Sequence, residues 1–520
     1  MSIIASDADN QRNCWSFAPR YRIEGTLELL SPLHIGGEDI THAELKNKNE
    51  EVRVNGHVRD YEKMPYIPGA TLKGNIRAWL DRYGNQQQVN IKYLFGDSAS
   101  QTTNGRGGMV EFHDAFLVQP IQASSALPYW REETKTYLDA SNTIDRHTGV
   151  VADGKLFYRE MVPPGTLFKV TVTGNFAEQE MVELLLALLS RFNDHIDEPI
   201  RLGSDNASNL GKCRWKLDCV SVLDKNGVVD WLAGPELTLP KDVMRTFTAE
   251  QLETMVQNGN KFFTEGTGRL YTMPINLHFC SNFLVNNPLT KKELELPEEQ
   301  RPPNHRPLCN AKGEVYLPAK SFRGVVRSRA EKIVRTMGGF CCDPKKPCQP
   351  VYNETDKKRL CPVCLVFGAA GWRTPLEISD FTVIDKGEEK TQEFVAIDRF
   401  TGGGKDGAKF KAKSLYRPIL AGKLGLDFHR LPDWGLGLLT LVLWDLRDGD
   451  LTFGFGGSKG YGACRAEITP WDDEHFRICA EMSLGQFREI ITKYVETGET
   501  AWGDANYFSK ELVDMINGGG

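Results

Sequence analysis

The sequence lacks any long hydrophobic run, and this absence argues against a helical membrane protein. No apolar stretch in its 520 residues approaches the ~20 residues that a transmembrane helix needs. Residues 1–14, MSIIASDADNQRNC, also lack the basic start and apolar core of a secretory signal. We therefore expect a globular protein of the cytoplasm.

A strong charge of either sign is also missing. The formal net charge is −6, so the overall balance does not indicate a nucleic-acid binder. A local stripe of Lys and Arg is nevertheless sufficient for phosphate contact, so net charge neither favours nor excludes RNA as a ligand. Apolar residues make up 40% and charged residues 25% of the chain, which is typical of globular protein, and the length favours two to four domains.

Cysteine is sparse outside one segment. Of the twelve cysteines, five lie between positions 341 and 364. In a reducing compartment such a cluster is more typical of a metal site than of disulfides. A C-x2-C pair with upstream thiols is typical of structural zinc, since four thiolates leave no ligand position open. We predict that the ligands are Cys342, Cys348, Cys361 and Cys364, with Cys341 as the rival of Cys342.

The chain contains an internal repeat. Residues 67–77, IPGATLKGNIR, match residues 317–327, LPAKSFRGVVR, at a separation of 250 positions. Four further blocks recur in the same order. A chance recurrence of turn-forming Gly and Pro residues is the weaker explanation of this pattern. These pairs of blocks are residues 94–97 with 366–369, 110–116 with 376–382, 142–149 with 395–402, and 202–214 with 453–465.

Each copy alternates strand and helix patterns, which predicts an α+β fold. Residues 22–35 alternate as a strand does, and Leu72, Ile76 and Leu80 share one face of a helix that follows Pro68-Gly69. The order suits two tandem ferredoxin-like modules, similar to RNA-recognition domains. The predicted divisions are a first module at 1–225, a connector at 226–270, a second module at 271–470 with the Cys-rich insert near 341–364, and a tail at 471–520.

The repeated helix start is the strongest candidate for RNA binding. Free N–H groups and the positive end of a helix favour anions, and residues four apart share a face. The alternative is a turn that caps an amphipathic helix with solvated basic residues. The candidate phosphate ligands are Thr71, Lys73 and Arg77 in the first copy, and Lys320, Ser321, Arg323 and Arg327 in the second.

Two further segments carry basic residues in loops. Lys459 lies in the glycine-rich run 454–462, where backbone and ligand can approach closely, although hairpin turns have the same composition. Arg146 and Arg399 lie in the blocks NTIDRHTG and VAIDRFTG, which are candidate β-hairpins. An Asp145–Arg146 ion pair with a purely structural role is the alternative. After the second block, lysines 405, 409, 411 and 413 predict a basic strand face.

These blocks resemble the RAMP superfamily of CRISPR-associated proteins, and in particular the backbone subunit of type III effector complexes. The resemblance lies in residues 30–37, 65–77, 109–117, 142–149 and 361–372 and in the second-copy counterparts. Two copies in one chain resemble the fused double-backbone subunit of a type III-D effector. The resemblance implies a filament on guide RNA that captures complementary target RNA. It also implies that hairpins kink the guide–target duplex at regular steps, where some subunits cut the target.

The resemblance further implies that an aspartate before the IPG-type turn catalyses cleavage, but neither copy keeps it cleanly. His305 occupies the expected position in copy two, and copy one has Val54 or Asn55 there. A base that deprotonates the 2′-hydroxyl of RNA is sufficient for in-line cleavage, and Mg²⁺ is a candidate cofactor. The candidate catalytic residues are Asp39, Glu51, His57, Asp60 and His305.

The sequence thus favours a guide-RNA-binding subunit that cleaves target RNA at one or two positions. Its expected partners are guide RNA, target RNA and other subunits of the effector. The first alternative is the same scaffold without nuclease activity. The second is a stand-alone endoribonuclease that processes guide precursors, for which a glycine-rich loop is present but a defined catalytic set is not.

Overall fold

The computed structural model describes most of the chain. It covers residues 17–469 except 48–49, 86–90, 98–104, 122–126, 147, 177, 194–198, 235–243, 264–269, 344–345 and 429. Residues 485, 487–489 and 492 are also described, so most of the predicted tail at 471–520 lies outside the described residues. No helix of the described residues combines the length and the apolar character that crossing a membrane would require.

The first copy is built on an antiparallel sheet with the strand order β12-β11-β1-β10-β6, in which β7 also pairs with β10. Ile23 of the central strand faces Val172 on one side and Val220 on the other. The elements are β1 Arg20–Leu29, β2 Ile40–Asn47, β3 Glu50–Asn55, α1 Gly69–Tyr83, α2 Ile91–Phe95, β4 Gly96–Asp97, β5 Arg106–Gly107, β6 Val110–Phe112, β7 Phe116–Gln119, β8 Tyr137–Ile144, β9 Val151–Met161, β10 Leu167–Asn175, α3 Gln179–Ser190 and β11 Cys213–Leu223.

The segment between the copies packs on the first sheet and its helices. Strand β12 pairs with β11, and Leu252 and Met255 of the next helix are buried in the core of the first copy. A capping box between Thr248 and Gln251 fixes the start of that helix. The elements are α4 Lys225–Ala233, β12 Arg245–Thr246 and α5 Ala249–Gly259.

The second copy repeats the first. Its antiparallel sheet has the order β17-β19-β22-β13-β23, in which β18 also pairs with β22. In both sheets the first strand of the copy lies between two later strands of the same copy. One of these precedes the last long helix of that copy, and the other follows it. The elements are β13 Leu270–Phe279, β14 Asn282–Phe283, β15 Asn286–Asn287, α6 Lys291–Leu294, β16 Arg306–Pro307, β17 Tyr316–Leu317, α7 Ala319–Thr336, α8 Pro362–Phe367, β18 Leu376–Ile378, β19 Phe381–Asp385, β20 Glu388–Ile397, β21 Gly404–Tyr416, β22 Ile419–Asp427, α9 Asp433–Asp448 and β23 Cys464–Ile468.

Each copy has one large hydrophobic core beneath its sheet. The predicted face of α1 is buried, with Leu72, Ile76 and Leu80 at most 1% exposed. Helix α3 is apolar on nearly every side, and its residues 181–189 are all buried. A helix of this composition is stable only in an interior, so it fixes where the first core lies.

A long hairpin extends from each copy, where the repeated IDR blocks predicted one. Strands β8 and β9 form the first hairpin, and β20 and β21 form the second. Their turns are alike. The Asp145 amide bonds the Val150 carbonyl at 2.8 Å, and the Asp398 amide bonds the Gly403 carbonyl at 2.8 Å. We call these the first hairpin and the second hairpin.

The two copies contact each other through polar groups of the first hairpin and of the loop before β11. Arg146 Nε lies 2.7 Å from Glu331 on α7, and Lys320 Nζ lies 2.5 Å from Asp139 on β8. Asn209 donates to Asp380 at 2.9 Å. The contact is head-to-tail, because the hairpin of one copy rests on the first helix of the other.

Candidate functional site

The starts of α1 and α7 were predicted to bind phosphate through free amides. In the structure a carboxylate from the neighbouring strand segment occupies the first amide of each helix. Asp114 Oδ1 accepts the Gly69 amide at 2.8 Å, and Asp380 Oδ1 accepts the Ala319 amide at 2.8 Å. A negative charge at a helix N-terminus is stabilising. The repeated Asp therefore caps the helix and accepts its first amide.

The arginines that repeat at positions 77 and 327 make the same protein contact. Each guanidinium donates to the carbonyl of the glycine in the repeated Phe-Gly pair, Gly96 or Gly368, at 3.1 Å. Both glycines have a φ of 87°, a conformation that favours glycine. Arg77 and Arg327 thus brace a tight turn, which accounts for their repetition without invoking a ligand.

Lys320 and Arg323 lie at the contact between the copies. Lys320 Nζ binds Asp139 and also the Ala140 carbonyl at 2.7 Å. Arg323 donates to the Phe367 carbonyl and, at 3.5 Å, to the Ala207 carbonyl of the first copy. Burial, and next the charge of Arg327, lowers the pKa of Arg323 to about 10. Both side chains therefore have protein partners in this structure.

Three predicted basic ligands have no hydrogen bond or ion pair to any described residue. Lys73 is half-buried on α1, Arg399 is exposed in the turn of the second hairpin, and Lys459 is exposed in the glycine-rich loop. Thr71 and Ser321, in the first turns of their helices, are half-buried. These five residues are the predicted RNA ligands whose side chains remain available.

The aspartates of the two hairpin turns bond the backbone of their own turns. Asp145 Oδ1 accepts the Thr148 amide at 3.1 Å, and Asp398 Oδ1 accepts the Phe400 amide at 2.8 Å. An aspartate at the start of a turn commonly binds the backbone in this way. Arg146 pairs with Glu331 of the other copy and also donates to the Ile144 carbonyl at 3.2 Å.

Lysines of the predicted basic face of β21 pair with glutamates of the neighbouring strand β20. Lys409 and Lys411 lie 2.8 and 3.5 Å from Glu393 on the paired strand, and Lys413 lies 2.9 Å from Glu389. The positive charges of these three lysines are therefore offset by glutamates of the paired strand. Pairs on opposite strands are not visible in the spacing of one strand.

The cysteine cluster forms a compact group. Sγ atoms of Cys342, Cys348, Cys361 and Cys364 all lie within 4.8 Å of one another, so this group can hold a metal ion. Cys361 directly precedes the first residue of α8, and Cys364 lies within that helix. Cys341 is buried beside the group but is not part of it. Four sulfur ligands match a closed tetrahedral metal centre.

Among the catalytic candidates, His57 is buried and structural in its contacts. It is 3% exposed, and its Nδ1 donates to the Val58 carbonyl at 2.7 Å. Burial is the largest cause that lowers its pKa to about 4. The imidazole is therefore neutral at physiological pH.

Glu160 is a buried acidic residue next to His57 that the sequence reasoning missed. Its carboxylate accepts the His57 amide at 2.9 Å and the Thr136 hydroxyl at 2.6 Å, and it pairs with Arg59. Burial alone would raise the pKa of Glu160, but these hydrogen bonds and the charge of Arg59 lower it. Its place in the otherwise regular strand β9 gave no signal in the sequence.

Asp60 has a turn role that the second copy reproduces with an amide. Asp60 Oδ1 accepts the amides of Glu62 and Met64, each at 2.9 Å. Asn310, at the matching position, accepts the amides of Lys312 and Glu314 at 2.9 and 3.0 Å. An amide cannot serve as a general acid or base, so the shared function of this position is the turn.

The remaining catalytic candidates have different environments. Asp39 is exposed in the segment that leads into β2, and the side chain of Glu51 lies outside the described residues. The His305 ring stacks on Phe455 at 4.2 Å and meets Phe410 edge-on at 5.2 Å. Burial, with the charge of Lys459, lowers the pKa of His305. Of these three residues, Asp39 is therefore the one with a carboxylate that the structure describes and that a ligand can reach.

We predict that His57 makes stability depend on pH between its two pKa values. The unfolded state takes up a proton near pH 6.5, whereas the folded state does so only near pH 4. The resulting stabilisation is therefore present above pH 6.5 and is lost as the pH falls to 4, with an upper bound of about 3 kcal/mol. Urea unfolding of the parent and of His57→Gln across this range should give a shallower pH slope for the variant, and parallel slopes would contradict the prediction.

Comparison with known proteins agrees with the duplicated architecture. A family model described as RAMP superfamily matches residues 26–214 and again residues 277–465. Similar curated proteins named CRISPR system Cms endoribonuclease Csm3 come from Methanocaldococcus jannaschii, Enterococcus italicus and Mycobacterium tuberculosis. The first is 27% identical over 37% of this chain and 77% of its own length, the second 27% over 39% and 93%, and the third 32% over 29% and 61%.

Each matched stretch contains most of one copy, including its hairpin and its capped helix, and together the two stretches cover more than half of the chain. We therefore refer to the copies as module one and module two. The chain belongs to the RAMP superfamily and carries two copies of the RAMP module.

Proposed function

We propose that this chain is a backbone subunit of a type III CRISPR effector, acting in the cytoplasm, that binds guide RNA and captures complementary target RNA. The observation that carries the proposal is the double match to the RAMP superfamily, together with relatives that are named CRISPR endoribonucleases. We further propose that both modules are ferredoxin-like, in view of their βαββαβ order and antiparallel sheets. Guide RNA, target RNA and other effector subunits are its partners.

The RNA contacts come from basic side chains that have no hydrogen bond or ion pair to the described residues. Lys73, Arg399 and Lys459 lie in three segments that recur in the repeat, with Thr71 and Ser321 as hydroxyl donors beside the helix starts. Arg77, Arg146, Lys320, Arg323 and Arg327 then support RNA binding by holding the fold rather than by phosphate contact.

Cleavage of the target, where it occurs, uses Asp39. It is exposed in module one, whereas His57 is buried and neutral and Asp60 holds a turn. A non-catalytic scaffold is the second candidate function, favoured by the stacked, low-pKa His305 at the position where the family resemblance implies an aspartate. Zinc fills the four-cysteine group as a structural ion.

We predict that Lys73→Ala and Lys459→Ala weaken RNA binding for all sequences. Each lost phosphate contact should lower the slope of log affinity against log salt by roughly one. The measurement is binding of a single-stranded RNA by the purified chain at several salt concentrations. Lys225→Ala on α4, outside the repeated segments, is the control and should leave both affinity and slope unchanged. The assignment is wrong if the two variants behave as this control does.

We predict that Asp39→Asn removes one cut in the target and leaves RNA binding intact, because a catalytic group contributes mainly in the transition state. The assay gives labelled complementary RNA to the guide-loaded complex, with Mg²⁺ or with a chelator. Asp60→Asn is a matched control, since Asn310 already makes the same turn in module two.

The cut patterns separate the alternatives. Loss of one cut in Asp39→Asn alone supports cleavage by module one. An unchanged pattern in Asp39→Asn, His57→Ala, Asp60→Asn and His305→Ala supports the scaffold. Cutting of hairpin RNA by the chain without partners would support a stand-alone processing enzyme instead.

We predict about one zinc ion per chain in reductant-purified protein. Cys361→Ser combined with Cys364→Ser should abolish the metal and lower the thermal midpoint of module two, because the ion crosslinks α8 to the preceding loop. Elemental analysis and calorimetry measure both. Cys341→Ser is the matched control and should retain the metal, whereas a metal content near zero in the parent would refute the proposal.

A further inference from the structure

One carboxylate on α7 lies close to three arginines. Glu331 is 1% exposed, and its Oε1 lies 3.1 Å from Arg327 Nε. Its Oε2 lies 2.7 Å from Arg146 Nε of the first hairpin and 3.9 Å from Arg335 Nη2. Arg146 comes from module one, whereas Arg327 and Arg335 belong to the same helix as Glu331. The contact between the modules therefore includes a buried carboxylate with two partly buried arginines, whereas Arg335 is exposed.

The same two helix arginines reach the four-cysteine group. Arg327 Nη2 lies 3.2 Å from Cys364 Sγ, and Arg335 Nη2 donates to the Cys342 carbonyl at 3.1 Å. A continuous path of direct contacts thus connects the predicted metal ligands to the first hairpin.

The charges along this path sum to zero when a divalent ion fills the four-cysteine group. A divalent ion held by four thiolates carries a net charge of about −2. Glu331 adds one negative charge, and the three arginines supply three positive charges. Buried charges without a counter-charge are strongly unfavourable, so loss of the metal centre leaves the arginines competing for Glu331 alone.

We propose that the metal centre of module two holds the first hairpin docked on α7, through Arg327, Glu331 and Arg146. Metal binding and hairpin docking are then linked, so each favours the other by the same factor. The inference rests on the metal binding proposed above. The ion then stabilises the contact between the modules as well as the local structure around the four cysteines.

The second hairpin supplies an internal comparison. Arg399 stands where Arg146 stands in the first hairpin, but it is exposed and contacts no charged group of the described residues. In module one, Arg77 matches Arg327 and bonds the Gly96 carbonyl. The segment from Arg77 to Gly96 is 22 positions shorter than the segment from Arg327 to Gly368, and it contains no cysteine. The path from metal to hairpin is thus built where the cysteine-bearing insert is present.

Hydrogen exchange of the full chain, followed by mass spectrometry, tests the linkage. Peptides that cover 140–151 report the first hairpin, peptides that cover 398–404 report the second, and peptides that cover 341–365 report the metal centre. We expect that removing the metal with a chelator lowers protection of the first hairpin on the order of tenfold, the scale expected for loss of a buried charged hydrogen bond. The second hairpin should not change.

Variants distinguish the linkage from general loosening. Arg146→Gln should lower first-hairpin protection similarly while it retains the metal, and the chelator should then have no further effect there. Glu331→Gln should act in the same way, and Arg399→Gln is the matched control that should behave as the parent does. These variants keep all four cysteines, so the test does not depend on a cysteine variant that folds.

Two outcomes would overturn the inference, and they are distinguishable. If chelation exposes 341–365 and leaves 140–151 unchanged, the metal is bound but the linkage is wrong. If elemental analysis of the untreated chain finds no metal, the proposed metal site fails and the linkage fails with it.

Discussion

The arrangement of the two modules depends on a buried carboxylate, Glu331, that is shared between the modules. Because it is almost fully removed from solvent, it requires positive partners on several sides. Two of these come from its own helix, and the third, Arg146, comes from the hairpin of module one. The relative position of the modules is thereby tied to side-chain chemistry as well as to the polypeptide connection. Lys320 with Asp139 adds a second, more exposed ion pair to the same contact.

The repeat and the cysteine group could be predicted from the sequence because they depend on local order and spacing. Blocks that recur 250 positions apart correspond to equivalent helices and turns, and the predicted buried face of α1 is confirmed. The environment of the basic residues could not be predicted in this way. Arg77 and Arg327 bond carbonyls that lie 19 and 41 positions further along the chain. A basic residue beside a helix start has the same spacing whether it faces a phosphate, a carbonyl or a carboxylate.

The burial of a candidate catalytic residue could not be predicted from the sequence either. His57 lies in a polar stretch, VRVNGHVRD, that gives no sign of an interior position, yet Glu160 and Arg59 enclose it after strands β3 and β9 pair. Burial then removes the charge that a catalytic histidine near neutral pH would use. At positions 60 and 310, by contrast, comparison of the two copies in one chain would have been informative. An Asp in one copy and an Asn in the other indicate a shared turn rather than shared acid–base chemistry.

The head-to-tail contact has a consequence for how the two copies diverge. In an assembly of separate identical chains, every subunit must carry both halves of such a contact, the hairpin residues and the helix residues that receive them. Covalent linkage removes this requirement, since each copy keeps only the half that it uses. Accordingly, Asp139 of the first hairpin corresponds to Gln392 in the second, and Lys320 of α7 corresponds to Ala70 in α1. The residues at the contact between the two modules can therefore change without matching changes on the outer surfaces of the chain.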